Sequence, residues 1–575
     1  MKTILSYVEG SLKRSSLILI FILCKFSLNA QTNGDYRSKQ SGIWSTVSNW
    51  ETYNGSSWIA ATTFPTNMNG VITILSSHSM SVNATLNIDQ CNIQGFGSVI
   101  VSGAATQLIV ENGAGTDLEL NGLLRLDAGG AINMVSGSAL IVNNGGIYQH
   151  NRSFVDGLPA GGNTTWNNGS KCLVTSDITS TTTFINHNFN ILEIDYATGT
   201  TARVFESDWP TSIDSLVIKS TGTTGTLSIA NSSNSRNRTV NNFIQNGGRF
   251  YIAGTAANGN PASYSFTVTN NFIQTGGEFE INRTNNNSIN ATYALNVNGS
   301  MTLNGGVFRL MNNSGTGGSL ASATIDGDLT IQGGSLDLSA IGSINAGRLF
   351  VKSNLNLNSG ELKFTQAITS GSSGVYFIGT GIQSFNWSGG DLQTASGGIG
   401  RRFFYKNVSG PTGLNEHYSS ALAQVTINGT QGTPLTGHVA WPTSGSLIKD
   451  VVIQNPSGVT LSTNKVVNNS LSLNSGVFTL SNTLTMANAT TIYRSGGSLN
   501  TAPTFGSSIH VTYNQNGSTI VSGPELPTNT SILSNLTINT SNGVTLSSAQ
   551  TMNGVLYLQN GILSTTNTNL LNIAN

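Results

Sequence analysis

The sequence predicts an all-β fold: a parallel β-helix, or β-solenoid, in two consecutive segments. Three observations point there. Short alternating strands recur along most of the chain, broken at Gly or Asn-Gly. Five segments within 239–366 share one pattern at nearly constant spacing. No window of useful length carries the apolar period of a helix.

The five segments are FIQNGGRFYI, FIQTGGEFEI, MTLNGGVFRL, LTIQGGSLDL and LNLNSGELKF. Their aligned glycines are Gly248, Gly277, Gly306, Gly334 and Gly360, separated by 29, 29, 28 and 26 residues. A Gly turn between two short strands at that period is one winding of a solenoid. Two residues past the glycine come Phe250, Phe279, Phe308, Leu336 and Leu362; four past it come Ile252, Ile281, Leu310, Leu338 and Phe364. Alternation turns these inward. It turns Arg249, Glu278, Val307, Ser335 and Glu361 outward, and likewise Tyr251, Glu280, Arg309, Asp337 and Lys363. Windings stacked in register lie ~4.8 Å apart, so the Phe rings stack inside. Outside, Glu280, Arg309, Asp337 and Lys363 form an exposed ladder of alternating sign, each pair contributing ~0.2–1 kcal/mol and opposing a slip of register.

In chain order, residues 1–30 read as a secretory signal, with Lys13 and Arg14 before the apolar run Leu17–Cys24 and Ala30 before Gln31. The run is too short to span a bilayer, and no other stretch is apolar enough. Residues 31–65 hold Trp44, Trp50 and Trp58 in a Gly/Ser-rich context. They read as an N-terminal cap over an open solenoid edge, or else as a platform on which sugar rings stack. Segment 66–190 is a first, less regular solenoid stretch, with strands such as VITIL, SMSVN, LNIDQCNI and LELNG. Segment 191–366 holds the regular windings. Residues 367–440 interrupt the array as an insertion or junction. There RRFFYKN (Arg401, Arg402, Phe403, Phe404, Tyr405, Lys406) is either a strand with extended basic ends or a contact for an anionic sugar or phosphate. In 441–575 the period is 85 residues, from Pro442 to Pro527 and from Gly458 to Gly543, read as about three windings. The last residues stop inside a repeat, so the chain looks truncated and its last winding exposed.

Charged residues make up 9% of the 575, against roughly 25% in ordinary soluble domains, so the skin is Ser, Thr, Asn and Gly. Hydroxyl and amide ladders between windings suit such a skin. Twenty-five basic and 25 acidic residues cancel. That argues against nucleic acid and anionic membrane as partners. After signal cleavage Cys91 and Cys172 remain, read as two separate core residues or as an extracellular disulfide.

The six His show no metal-ligand spacing, and no nucleophile elbow, phosphate loop or dinucleotide fingerprint occurs. No cofactor, metal or catalytic residue is expected. Asp326 and Asp328 in IDGDLTI form a solvated turn, or a Ca²⁺ site with backbone carbonyls.

The stretches GDYRSKQSGIWSTVSNW and YNGSSW, the LNAQ end of the signal, and the recurring LPT, SILSNLTINTSNGVTLS and QTMNGVLYLQNGIL resemble large secreted surface proteins of Bacteroidetes. The resemblance implies a right-handed parallel β-helix and export by type IX secretion. It supplies no catalytic residue, and the usual C-terminal sorting domain is absent here. The expected role is therefore a secreted or cell-surface structural, adhesin-like protein with surface glycans or cell-surface proteins as partners. The alternative is a carbohydrate-binding or polysaccharide-degrading β-helix protein, with glycan contacts at Trp44, Trp50, Trp58, Arg401, Arg402 and Tyr405.

Overall fold

The computed structural model describes residues 31–574 except 153–157, 160–163, 177–183, 197, 201, 206–208, 233, 255–261, 284–290, 312–319, 339–345, 365–373, 379–384, 388–390, 395–401, 406–422, 429–434, 437–447, 455–457, 462–463, 515–516 and 530. For most strand residues from 385 to 460 it describes the backbone alone. The expected signal, 1–30, lies outside the described residues. Apart from one 3₁₀ turn, Val47–Asn49, the regular structure described is β-strand, paired mostly in parallel as a β-solenoid. No described helix is long and apolar enough to cross a membrane. The chain falls into two compact units, 1–148 with 163–165, and 149–162 with 166–575.

In the first unit each winding has three strands. They are Ile72–Ile74, Ser79–Val82 and Leu86–Ile88; then Cys91–Ile93, Ser98–Val101 and Thr106–Val110; then Leu118–Leu120, Leu123–Asp127 and Gly130–Met134. Parallel pairing lines up one inward column per sheet: Ile72, Cys91, Leu118 and Leu140; Met80, Val99 and Leu124; Leu86, Leu108 and Ile132. All of these are buried. Alternation in the sequence thus becomes three walls around one apolar interior. LNIDQCNI is two strands rather than one. Gln90 takes the left-handed conformation, φ 50°, and turns the chain from one sheet to the next.

The start of this unit is a small antiparallel meander. Tyr36–Ser38 pairs in parallel with Ile72–Ile74 and antiparallel with Trp50–Tyr53, which pairs antiparallel with Trp58–Ala60. Trp44 and Trp50 are buried, with ring centroids 4.7 Å apart. The Trp44 indole N–H donates to Pro65 O at 2.9 Å and that of Trp50 to Trp44 O at 2.7 Å. A sugar platform at these two rings is therefore corrected: both faces are packed and both donors are used.

In the second unit the five-segment pattern stacks in register. Phe250, Phe279, Phe308, Leu336 and Leu362 form one column, buried throughout. The Phe279 and Phe308 rings lie 5.0 Å apart and 3° from parallel. Gly306 has φ 76°, and a Cβ there would lie 2.5 Å from Gly277 O. Left-handed backbone and the close approach of the winding beneath both require glycine. Gln245 and Gln274 pin neighbouring windings from inside, donating to Glu278 O at 3.0 Å and Val307 O at 3.1 Å. A third wall, unseen in the sequence, joins Ser263–Val268, Thr292–Val297, Leu320–Ile325 and Ala346–Val351, with Tyr264 and Tyr293 stacked 5.2 Å apart.

Two expectations are corrected here. The charge ladder pairs in the expected register, but part of it is not exposed: Glu280 and Tyr251 are buried. Long cations fold over them. The Arg283 guanidinium lies 4.6 Å over the Tyr251 ring, and Arg309 Nη1 lies 2.9 Å from Glu280 Oε1 and 3.1 Å from Glu278 Oε1. Through 367–440, read in the sequence as an insertion or junction, the described strands carry one wall onward. Val351, Phe377, Tyr405, Ile427 and Ile453 form one continuous parallel register through Gly374–Phe377, Arg402–Tyr405 and Ala423–Asn428. Last, the 85-residue unit winds four times. Its register runs Asp450, Ser470, Thr491, His510, Asn535, because these windings keep tighter turns than those of 239–366. Near the end, Leu558 on the strand Leu556–Asn560 and Ile562 just after it are exposed.

Candidate functional site

On the outer side of the first sheet of the first unit lies a cleft of about 760 Å³. Its floor is one register column, Arg37 from the meander strand Tyr36–Ser38 and Thr73, Asn92 and Glu119 from three successive windings. Inward alternation buries Ile72, Cys91 and Leu118, so their neighbours on each strand must face out. Trp58 lines the cleft beside the floor.

Every charged group in the lining is held by a partner. The Arg37 guanidinium pairs with Glu51, Nη2 to Oε2 at 2.7 Å, and lies 4.4 Å over the Trp58 ring. Tyr53 supports Trp58 with ring centroids 5.4 Å apart. Glu119 accepts from Asn92 Nδ2 at 3.2 Å and from Asn143 Nδ2 at 2.8 Å. Asn121 links the two amides, donating to Asn92 at 3.3 Å and accepting from Asn143 at 3.0 Å. The Asp35 carboxylate accepts from Thr32 N at 2.7 Å, Thr32 Oγ1 at 2.9 Å and Val71 N at 2.9 Å. Burial pushes the Cys91 thiol up to about 12, so it offers neither a nucleophile nor a metal-binding thiolate at neutral pH.

A Ser–His contact lies nearby, Ser38 Oγ to His78 Nδ1 at 2.8 Å. Ser38 is buried and its oxygen accepts Leu75 N–H at 2.9 Å, which leaves no open nucleophile. Among the described residues no three His, Cys, Asp or Glu gather as a metal site.

The residues singled out in the sequence scatter. Trp58 lies in the cleft, while Trp44 and Trp50 are core. Arg401 lies outside the described residues. Arg402 and Tyr405 sit on the strand Arg402–Tyr405, whose side chains lie outside the description too. Cys91 and Cys172 are both free and buried. Asp326 pairs with Lys352 at 2.8 Å. For Asp328 burial works to raise the pKa; hydrogen bonds from Ser353 and Asn354 outweigh it and hold the carboxyl below its ordinary value. The floor column was missed because Arg37, Thr73, Asn92 and Glu119 are unevenly spaced, and only the register reveals them as neighbours.

Comparison with protein-family models, with curated proteins and with solved structures gives no match.

Proposed function

We propose that the chain is a secreted or cell-surface, adhesin-like β-solenoid protein that works by binding, without catalysis, on surfaces of the kind borne by Bacteroidetes. The observation that carries this reading is the state of the cleft carboxylates. Glycoside hydrolysis needs two carboxyl groups facing one bond, one as acid and one as base or nucleophile. Glu119 is committed to two amides and Asp35 to three donors. The resemblance in sequence supports surface display, with 1–30 as the export signal. The low-charge polar skin supports contact with hydrated surfaces.

The test is to incubate the purified chain with a panel of surface polysaccharides, reading retention and release of reducing ends in the same samples. Retention without release is expected. Reducing ends that appear with the wild type and vanish with Glu119→Gln or Asp328→Asn would sink the non-catalytic reading.

A further inference from the structure

We infer that the cleft binds a neutral glycan chain laid across the column Arg37, Thr73, Asn92 and Glu119, with Trp58 as its aromatic wall. This rests on the non-catalytic binding role proposed above and names its ligand.

The first argument is shape. Each of the four strands presents one outward polar side chain to the floor, so a polar group recurs every ~4.8 Å. A row of that kind fits a chain ligand that repeats its own polar groups. About 760 Å³ is ample for a ligand of several rings.

The second is hydrogen-bonding capacity. Thr73 and Gln94 line the cleft and have no side-chain hydrogen-bond partner among the described residues. Asn92, Asn121, Asn143 and Glu119 orient one another through the bonds given above. Carboxylate and amide oxygens keep further lone pairs, and the Asn92 and Asn121 amides, each donating once here, keep a further N–H to meet sugar hydroxyls. Holding them in place beforehand removes the entropy cost of ordering them on binding.

The third is charge. A uronate, sulfate or phosphate needs a cation that is not already spent. Arg37 is engaged by Glu51 and by the Trp58 face, and the other charged groups lining the cleft, Asp35 and Glu119, are anionic. Entry of an anion would place like charges together without a partner. A neutral ligand meets no such penalty. The fourth is Trp58, half-buried and fixed by Arg37 and Tyr53. A rigid ring with an apolar body suits the C–H side of a sugar.

The experiment is an array of neutral and of uronate-, sulfate- or sialate-bearing oligosaccharides. Titration calorimetry of the whole chain then follows with the best neutral and best acidic probes. A neutral oligosaccharide is expected to bind at least tenfold tighter than any acidic one. Trp58→Ala should weaken it at least tenfold. So should Thr73→Tyr, an outward change that fills the floor and leaves the unfolding midpoint unmoved. If Trp58→Ala lowers that midpoint, Thr73→Tyr and Gln94→Ala decide. No neutral binding, equal acidic binding, or undiminished binding by Thr73→Tyr each overturns the inference while leaving the non-catalytic role standing. Release of reducing ends from a bound neutral probe would do the reverse.

Discussion

Glu280 is fully buried, and Arg309 of the next winding lies 2.9 Å from its carboxylate. Arg309 keeps 30% of its side chain exposed. The pair therefore differs from a surface ion pair, which contributes under about 1 kcal/mol. Arg309→Ala leaves a buried carboxylate short of its nearer cation, with Arg283 Nε still 3.8 Å away. The expected loss is about 2–4 kcal/mol, discounted from the figure for a fully buried pair. Glu280→Gln in the Arg309→Ala background should recover at least half of it. Urea unfolding of the two single variants and the double variant measures this. Additive losses would show that the two side chains do not interact. Gly306 is a second residue on which a winding depends: its φ of 76° and the carbonyl beneath it exclude any side chain.

A winding is set by how many residues its turns consume. The wall strands of 239–366 pair at steps near 29 residues, as in Glu280 to Arg309. Thr491 and His510 pair only 19 positions apart. The two regions look alike in sequence because LSLNSGVFTL repeats the motif of MTLNGGVFRL. A motif reports one corner and two strands, and it is silent on the rest of the winding. That is why the inward Phe column was legible in the sequence, while the third wall and the count of four windings were not. The third-wall strands SYSFTV, TYALNV, LASATI and AGRLFV share alternation but no common turn signal. Thr491 and His510 flank buried residues and face outward, so a cysteine at each would fall within disulfide reach of neighbouring parallel strands. Mild oxidation of Thr491→Cys/His510→Cys is expected to give a faster band on a non-reducing gel. A chain winding three times per 85 residues would instead place these positions on different parts of a turn, and no such band would form.

Across the molecule, what a column of side chains does depends on whether it is covered. Alternation separates inward from outward, and the structure keeps that division for the apolar columns of both units. It cannot say which outward column lies under a neighbouring cation, as Glu280 does, or opens into a cleft, as Thr73 does. The same applies to the histidines, whose spacing shows no metal-ligand pair and does not reveal their burial. His187 and His150 are both buried in the second unit. Burial lowers the pKa of His187 to about 4 against an opposing hydrogen bond from its ring to the Pro159 backbone carbonyl. Burial, with the charge of Arg152, lowers that of His150 to about 4 as well. The Nδ1 of His187 accepts the Trp166 indole N–H at 3.2 Å, a bond that protonation would break. From pH 6.5 down to about 4 the unfolded chain takes up protons that the folded chain refuses. Stability therefore falls as pH falls through that window, and the slope ends once both states are protonated. Each histidine can contribute roughly 3 kcal/mol over the full window and roughly 2–3 kcal/mol by pH 4.5. His187→Gln keeps a polar side chain at the site but does not titrate. Urea unfolding followed by tryptophan fluorescence at pH 7.5 and 4.5 should show a loss on acidification that is smaller in this variant by about 2 kcal/mol. Equal losses in the wild type and the variant would mean that the buried imidazole is protonated in the folded chain as readily as in the unfolded one.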